Sequence, residues 1–105
     1  MVLALDAFLL WPVDHPLVGT DTVRALVKAR TTRAARIVVP VYKDTPGHPT
    51  LFAADLAPEI VGAPDSEGAR YVVHRHDSEV QRVEVEDSGV VADIDSPEDF
   101  QRWLG

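Results

Sequence analysis

The sequence predicts one α/β domain with a mainly parallel sheet. Three observations carry that reading. Short, continuous apolar runs at residues 7–11 and 37–41 have the character of strands buried on both faces. A segment with helical periodicity, residues 20–30, separates them. Two acidic turns, Trp11-Pro12-Val13-Asp14-His15-Pro16 and Asp93-Ile94-Asp95-Ser96-Pro97-Glu98-Asp99, each follow an apolar run and precede a helix start, which is where an α/β sheet places ligand-binding groups. At 105 residues the chain has room for one small domain, 1–105. Its composition, 46% hydrophobic and 26% charged, supplies a core and sets it apart from a disordered tail.

Taken in order, Ala7-Phe8-Leu9-Leu10-Trp11 is predicted as a buried strand, and Pro12 and Pro16 bracket the Asp14 turn. Thr20 then caps a helix to about Arg30, with Val23, Leu26 and Val27 inward and Arg24 and Lys28 in solvent. Ile37-Val38-Val39-Pro40-Val41 is the second strand. A helix of that length between two apolar runs favours adjacent parallel strands joined by a right-handed crossover. Lys43 to Gly47 reads as loop, and Leu51-Phe52 as a short return along the sheet edge.

Asp55 caps a helix to about Val61, and Ser66 caps another over Glu67 to His74, from which Tyr71, Val72 and the aliphatic part of Arg75 reach neighbouring elements. Val80 to Val85 alternates as a partly exposed strand. Val90-Val91-Ala92 leads into the last acidic turn. There Ser96, Pro97, Glu98 and Asp99 provide a hydroxyl cap, a first-turn proline and acids suited to a helix N-terminus, with Phe100, Trp103 and Leu104 anchoring the helix.

The formal charge of −7, from 17 acidic and 10 basic residues with four histidines counted neutral, disfavours a phosphate-backbone binder, so no nucleic-acid partner is expected. Cysteine is absent, which removes disulfides, thiolate catalysis and Cys-containing zinc sites. The apolar opening from Met1 to Val13 is interrupted by Asp6, lacks a basic leader and is shorter than the roughly 20 residues a membrane span needs. The expectation is a cytoplasmic protein without a membrane partner. No H-E-x-x-H, G-x-G-x-x-G or phosphate-loop pattern is present, and no nucleophile-elbow sequence joins Ser, His and Asp into a hydrolase.

What remains is carboxylate chemistry. Asp14 from the first turn and Asp93 with Asp95 from the second are oxygen donors suited to one Mg2+ ion, which shares its shell readily with phosphate oxygens. Each has a local reading beside the functional one. Asp14 and Asp95 also suit turn and helix capping, and Asp93 a solvated turn. His48 either touches substrate or orients its Gly47-Pro49 loop, and Arg70 either binds an anion or packs on the surface. Gly47 and Gly68 either satisfy backbone geometry or permit close approach of a ligand. His15, His74, His76, Trp11 and Trp103 read as turn, surface or packing residues.

Four segments carry a specific resemblance: Trp11-Pro12-Val13-Asp14-His15-Pro16, Gly47-His48-Pro49, Glu67-Gly68-Ala69-Arg70 and Asp93-Ile94-Asp95-Ser96-Pro97-Glu98-Asp99. In order and approximate spacing they resemble the latter half of a MobA-like nucleotidyltransferase domain, and within that group molybdenum cofactor cytidylyltransferases. The resemblance implies a nucleotide-diphosphate-sugar-transferase-like (Rossmann-like) three-layer fold. It also implies metal-dependent transfer of a nucleoside monophosphate from an NTP to a phosphorylated acceptor, with CTP and molybdopterin as the specific pair.

On that resemblance Asp14 and Asp95 are catalytic metal-binding aspartates and Asp93 assists them. Gly47, His48 and Arg70 line the substrate cleft, and the cofactor is Mg2+ with Mn2+ as alternative. Family members begin with a glycine-rich nucleotide loop, for which the 13 residues before Asp14 leave no room. The expectation is therefore a partial domain, completed by a homodimer or a complementary N-terminal fragment. The alternative is a noncatalytic oligomeric or interaction protein derived from a truncated transferase domain.

Overall fold

The computed structural model describes residues 7–11, 17–64 and 68–92. In chain order it contains β1 (Ala7–Leu10), α1 (Thr20–Arg33), β2 (Ile37–Tyr42), β3 (Thr45–Pro46), β4 (Thr50–Ala53), α2 (Ala57–Val61), α3 (Ala69–Arg75) and β5 (Val80–Glu84). Single 3-10 turns cover Ala54–Leu56, Asp77–Glu79 and Ser88–Val91. The Asp14 turn with Pro12, His15 and Pro16, the Ser66 cap and everything expected from Asp93 to Leu104 lie outside the described residues.

The apolar runs form the sheet, with β2 at its centre. On one side β2 pairs antiparallel with β4, setting Ile37 opposite Phe52 and Val38 opposite Leu51. On the other it pairs parallel with β5, from Ile37 opposite Val80 to Val41 opposite Glu84. β4 pairs antiparallel with β1, and β3 pairs antiparallel with the end of β2. The sheet is therefore mixed, against the expectation of a mainly parallel one. β1 and β2 do run in the same direction, but β4 lies between them, so they are not adjacent.

The reason is a tight reversal. Lys43 and Asp44 both take positive φ, 47° and 67°, which is the two-residue hairpin geometry whose twist matches the flanking strands. It turns the chain straight back along β2. Leu51 and Phe52 thus enter the interior of the sheet rather than its edge, and all four residues of β4 are buried.

Side chains alternate between the two faces as the pleat requires. Val38 and Leu51 join Leu26 and Ala29 of α1 on one face, with Ala7, Leu9 and Val83 beside them. Ile37, Val39 and Phe52 join Leu56 and Val72 on the other, with Phe8, Leu10, Ile60 and Val73 beside them. The rings of Phe8 and Phe52, partners across β1 and β4, stack with centroids 5.6 Å apart. Helices cover both faces, giving the expected three layers.

α1 differs from its expectation in three respects. Its buried stripe is Thr22, Leu26 and Ala29, spaced by four and three residues, while Val27 is 48% exposed. Gly19, not Thr20, is the N-cap residue. The helix also runs to Arg33, and within its last turns the hydroxyls of Thr31 and Thr32 donate to the carbonyls of Val27 and Lys28 one turn back, which satisfies them inside a helix.

Asp55 likewise makes no cap hydrogen bond and sits in the 3-10 turn before α2. It accepts instead from Arg36, 3.1 Å away. Arg36 also donates to Glu79 at 3.0 Å. His76 lies between two acids, Nε2 2.6 Å from Glu59 and Nδ1 2.8 Å from Glu79. A doubly protonated ring donates to both. This network ties α2, α3 and the start of β5 to the chain entering β2.

Candidate functional site

The segment after β5 organises the site. Val90-Val91 reads as part of an apolar run, yet it forms a 3-10 turn with its neighbours, because Asp87 and Gly89 shape it. Asp87 Oδ1 accepts from the Gly89 amide at 2.9 Å, closing a local turn. Its other oxygen accepts from the Gly19 amide and from the Thr22 hydroxyl, both at 2.7 Å. One carboxylate thus joins this turn to the start of α1, where negative charge also suits the helix dipole. Burial pushes the Asp87 carboxyl up, and the hydrogen bonds from Gly19, Thr22 and Gly89 outweigh that and hold it below the ordinary aspartate value.

Two glycines allow backbones to meet on either side of this turn. A Cβ built on Gly89 would come 2.2 Å from the Leu17 carbonyl oxygen. A Cβ on Gly47 would come 2.1 Å from the Val90 carbonyl oxygen. That oxygen accepts from the His48 amide at 2.8 Å, while the Gly47 amide donates to Pro40 at 2.9 Å. Contact with the main chain of Val90 therefore accounts for glycine at 47. The Ser88–Val91 turn touches the segment that follows Asp14 on one side and the Gly47-His48 loop on the other, two residues before Asp93.

Beside the second loop is a cavity of about 700 Å3. Leu10, Val39, Thr50 and Phe52 of the sheet form its floor. Gly47 and His48 line one wall, Arg70 and His74 from successive turns of α3 the other, and Trp11 its rim. Arg70 and His74 are exposed at its mouth. Gly68 has φ 53°, a conformation open to glycine, and starts the helix that carries both.

The structure thus brings Gly47, His48 and Arg70 to one cavity. Trp11 and His74, assigned from sequence to packing and surface, line it too. Asp14, Asp93 and Asp95 lie outside the described residues, among which no group of three His, Cys, Asp or Glu side chains could hold a metal ion. Sequence reasoning missed Asp87 entirely. Its signal was the Asp87-Ser88-Gly89 turn pattern.

Residues 2–80 match the family model of the MobA-like NTP transferase domain. The chain belongs to this family. The fold is accordingly that of a nucleotidyltransferase domain. The M. tuberculosis rv0371c homolog from Mycobacterium sp. strain JC1 resembles it in structure, with a TM-score of 0.76 at 24% identity over 94% of this chain and 48% of that one. Rv0371c from Mycobacterium tuberculosis H37Rv gives a TM-score of 0.70 at 30% identity over 87% of this chain and 47% of its own. The same protein solved in complex with manganese gives 0.69 with the same identity and coverage. The chain spans about half the length of these structures. No curated protein matches it. Among the described residues no helix is long and apolar enough to cross a membrane.

Proposed function

We propose that this chain forms the metal and acceptor side of a cytoplasmic nucleotidyltransferase that moves a nucleoside monophosphate from an NTP to a phosphorylated acceptor, with CTP and molybdopterin as the specific pair. The observation that carries the reading is the cavity where the Gly47-His48 loop meets Arg70 and His74. Its walls offer a guanidinium and two imidazoles to a phosphate, and its floor and Trp11 offer apolar surface to a planar ring.

Asp14, Asp95 and Asp93 would hold the cation. The reading rests on donor chemistry and on chain order. Carboxylate oxygens suit Mg2+ or Mn2+. Leu17, three residues after Asp14 in the chain, touches Gly89, four residues before Asp93. The manganese complex of Rv0371c supports the same class of ion. When bound, the cation neutralises phosphate charge. Arg70, His48 and His74 orient the acceptor so that its phosphate oxygen attacks the α-phosphorus. The bond to the β-phosphate breaks, and pyrophosphate leaves.

Nucleotide recognition would come from polypeptide outside these 105 residues, a complementary fragment or a second copy, in keeping with the half-length match. A second reading is a noncatalytic interaction protein. It is favoured by β1, whose four apolar residues are only half buried and which, among the described residues, pairs on one side alone.

Isothermal calorimetry of the full chain with inorganic phosphate, which stands for the acceptor phosphate, with and without Mg2+, separates the two. Magnesium-dependent binding abolished by Asp14→Asn supports the transferase reading. Absence of specific binding favours the interaction protein.

A further inference from the structure

β5 lies at the margin of the sheet, where among the described residues it pairs with β2 alone. The Val85 amide donates to the Val41 carbonyl at 2.9 Å, so residues of β5 in phase with Val85 turn their main-chain groups to β2. Arg82 and Glu84, out of phase with it, turn theirs outward. The Arg82 carbonyl accepts from the Gln81 side-chain amide at 3.0 Å, and no described strand meets it. Val83 packs on the face that α1 covers and Val80 on the other, so alternation sets Arg82 and Glu84 together on the face opposite α1. Both are exposed.

An open edge is a template for another strand, and a row of like charges is one way to keep a second copy off it. Arg82 and Glu84 do the reverse. An antiparallel copy related by a two-fold axis at Val83 sets each Arg82 opposite the other copy's Glu84. Main-chain groups point outward at both positions, so directly opposite residues exchange two hydrogen bonds. Moving the axis to Arg82 or to Glu84 sets like charges opposite each other, which disfavours those registers. The seam between α1 and β5 repeats this polarity. Asp21 and Glu86 border a groove at one end of it, Lys28 and Arg33 a groove at the other. A two-fold axis perpendicular to the sheet brings the acidic end of each copy beside the basic end of its mate. At a net charge of −7 two copies repel at long range, and this seam offers them complementary charge at contact.

We propose that β5 is a homodimer interface, through which two copies pair antiparallel about Val83 and continue one sheet across both. The inference is independent of the transferase reading and uses the margin of the sheet remote from β1.

Sedimentation velocity of the full chain over a range of concentrations tests it. The wild-type chain should show an equilibrium of monomer and dimer that added sodium chloride weakens. Arg82→Glu and Glu84→Arg should each weaken dimerisation about tenfold or more, because each sets like charges opposite one another twice across the two-fold axis. Thermal midpoints should show both variants folded, as their exposure requires. An equimolar mixture of the two variants should dimerise again. The double variant Arg82→Glu/Glu84→Arg, which exchanges the signs and keeps the match, should do so alone.

A monomer at every concentration overturns the proposal and gives the edge to a different occupant. A dimer insensitive to both substitutions, as one formed through β1 would be, overturns it too. So does a loss that neither the mixture nor the double variant recovers.

Discussion

The carbonyl oxygen of Val90 occupies the place where a side chain on Gly47 would begin, 2.1 Å from the built Cβ position. Because the obstruction is main chain, it cannot swing aside as a flexible side chain would. Gly47→Ala should destabilise the protein by about 1–3 kcal/mol, the usual cost of overpacking. Val90→Ala should fail to rescue it. Urea unfolding of the single and double variants checks both statements.

Ala34 ends α1 at φ 51° and ψ 35°, a left-handed conformation in which a Cβ is crowded. Ala34→Gly removes that crowding at a position where helices commonly carry glycine. A gain of about 1 kcal/mol is expected from the relieved strain, less the extra entropy of an unfolded glycine. Denaturant midpoints give the value, and a loss of stability would contradict it.

Stability should fall in acid. Burial pushes Glu79 up, but hydrogen bonds from Arg36 and His76 and their charges hold its carboxyl below the ordinary value, as the bonds to Asp87 do for that residue. A carboxyl depressed in the folded state binds protons less readily than in the unfolded chain. Its contribution is present above the ordinary carboxylate range, about pH 4, and is lost as pH falls through the lower folded value. Urea unfolding at stepped pH should show this slope, and Glu79→Gln should flatten it. A wild-type slope in Glu79→Gln would remove that residue from the account.

Arg70 is exposed on α3, and truncating it should change stability by less than about 0.5 kcal/mol. If it meets a phosphate in the cavity, Arg70→Ala should weaken inorganic phosphate binding about tenfold, the effect of one charge-assisted hydrogen bond. Calorimetry reads both binding and, with thermal scans, folding. Unaltered phosphate affinity would remove Arg70 from the site.

The class of fold was legible because β1 and β2 are short, continuous apolar runs and α1 has the length of a crossover helix. The placement of β4 was not, since it depends on which strand Leu51 and Phe52 meet rather than on their own chemistry. The phase of α1 was misread for a related reason. Val23 and Val27 outrank Thr22 in hydrophobicity, but Asp87, 65 residues away, accepts from the Thr22 hydroxyl and makes its burial favourable. In the candidate site, Gly47, His48 and Arg70 could be named from their motifs. His74 lies one helical turn beyond Arg70 and shares its face, a relation visible only once α3 is known to border the cavity. Asp87 looked like one more acid in a strongly acidic chain.

The turn Ser88–Val91 meets its neighbours through main-chain atoms at Gly89 and Val90, so its fidelity rests on residue count more than on side-chain identity. A one-residue insertion or deletion between Val85 and Gly89 would displace both contacts at once. Substitution at Ser88 disturbs neither. Related sequences should therefore differ freely in spelling across this segment while keeping its length.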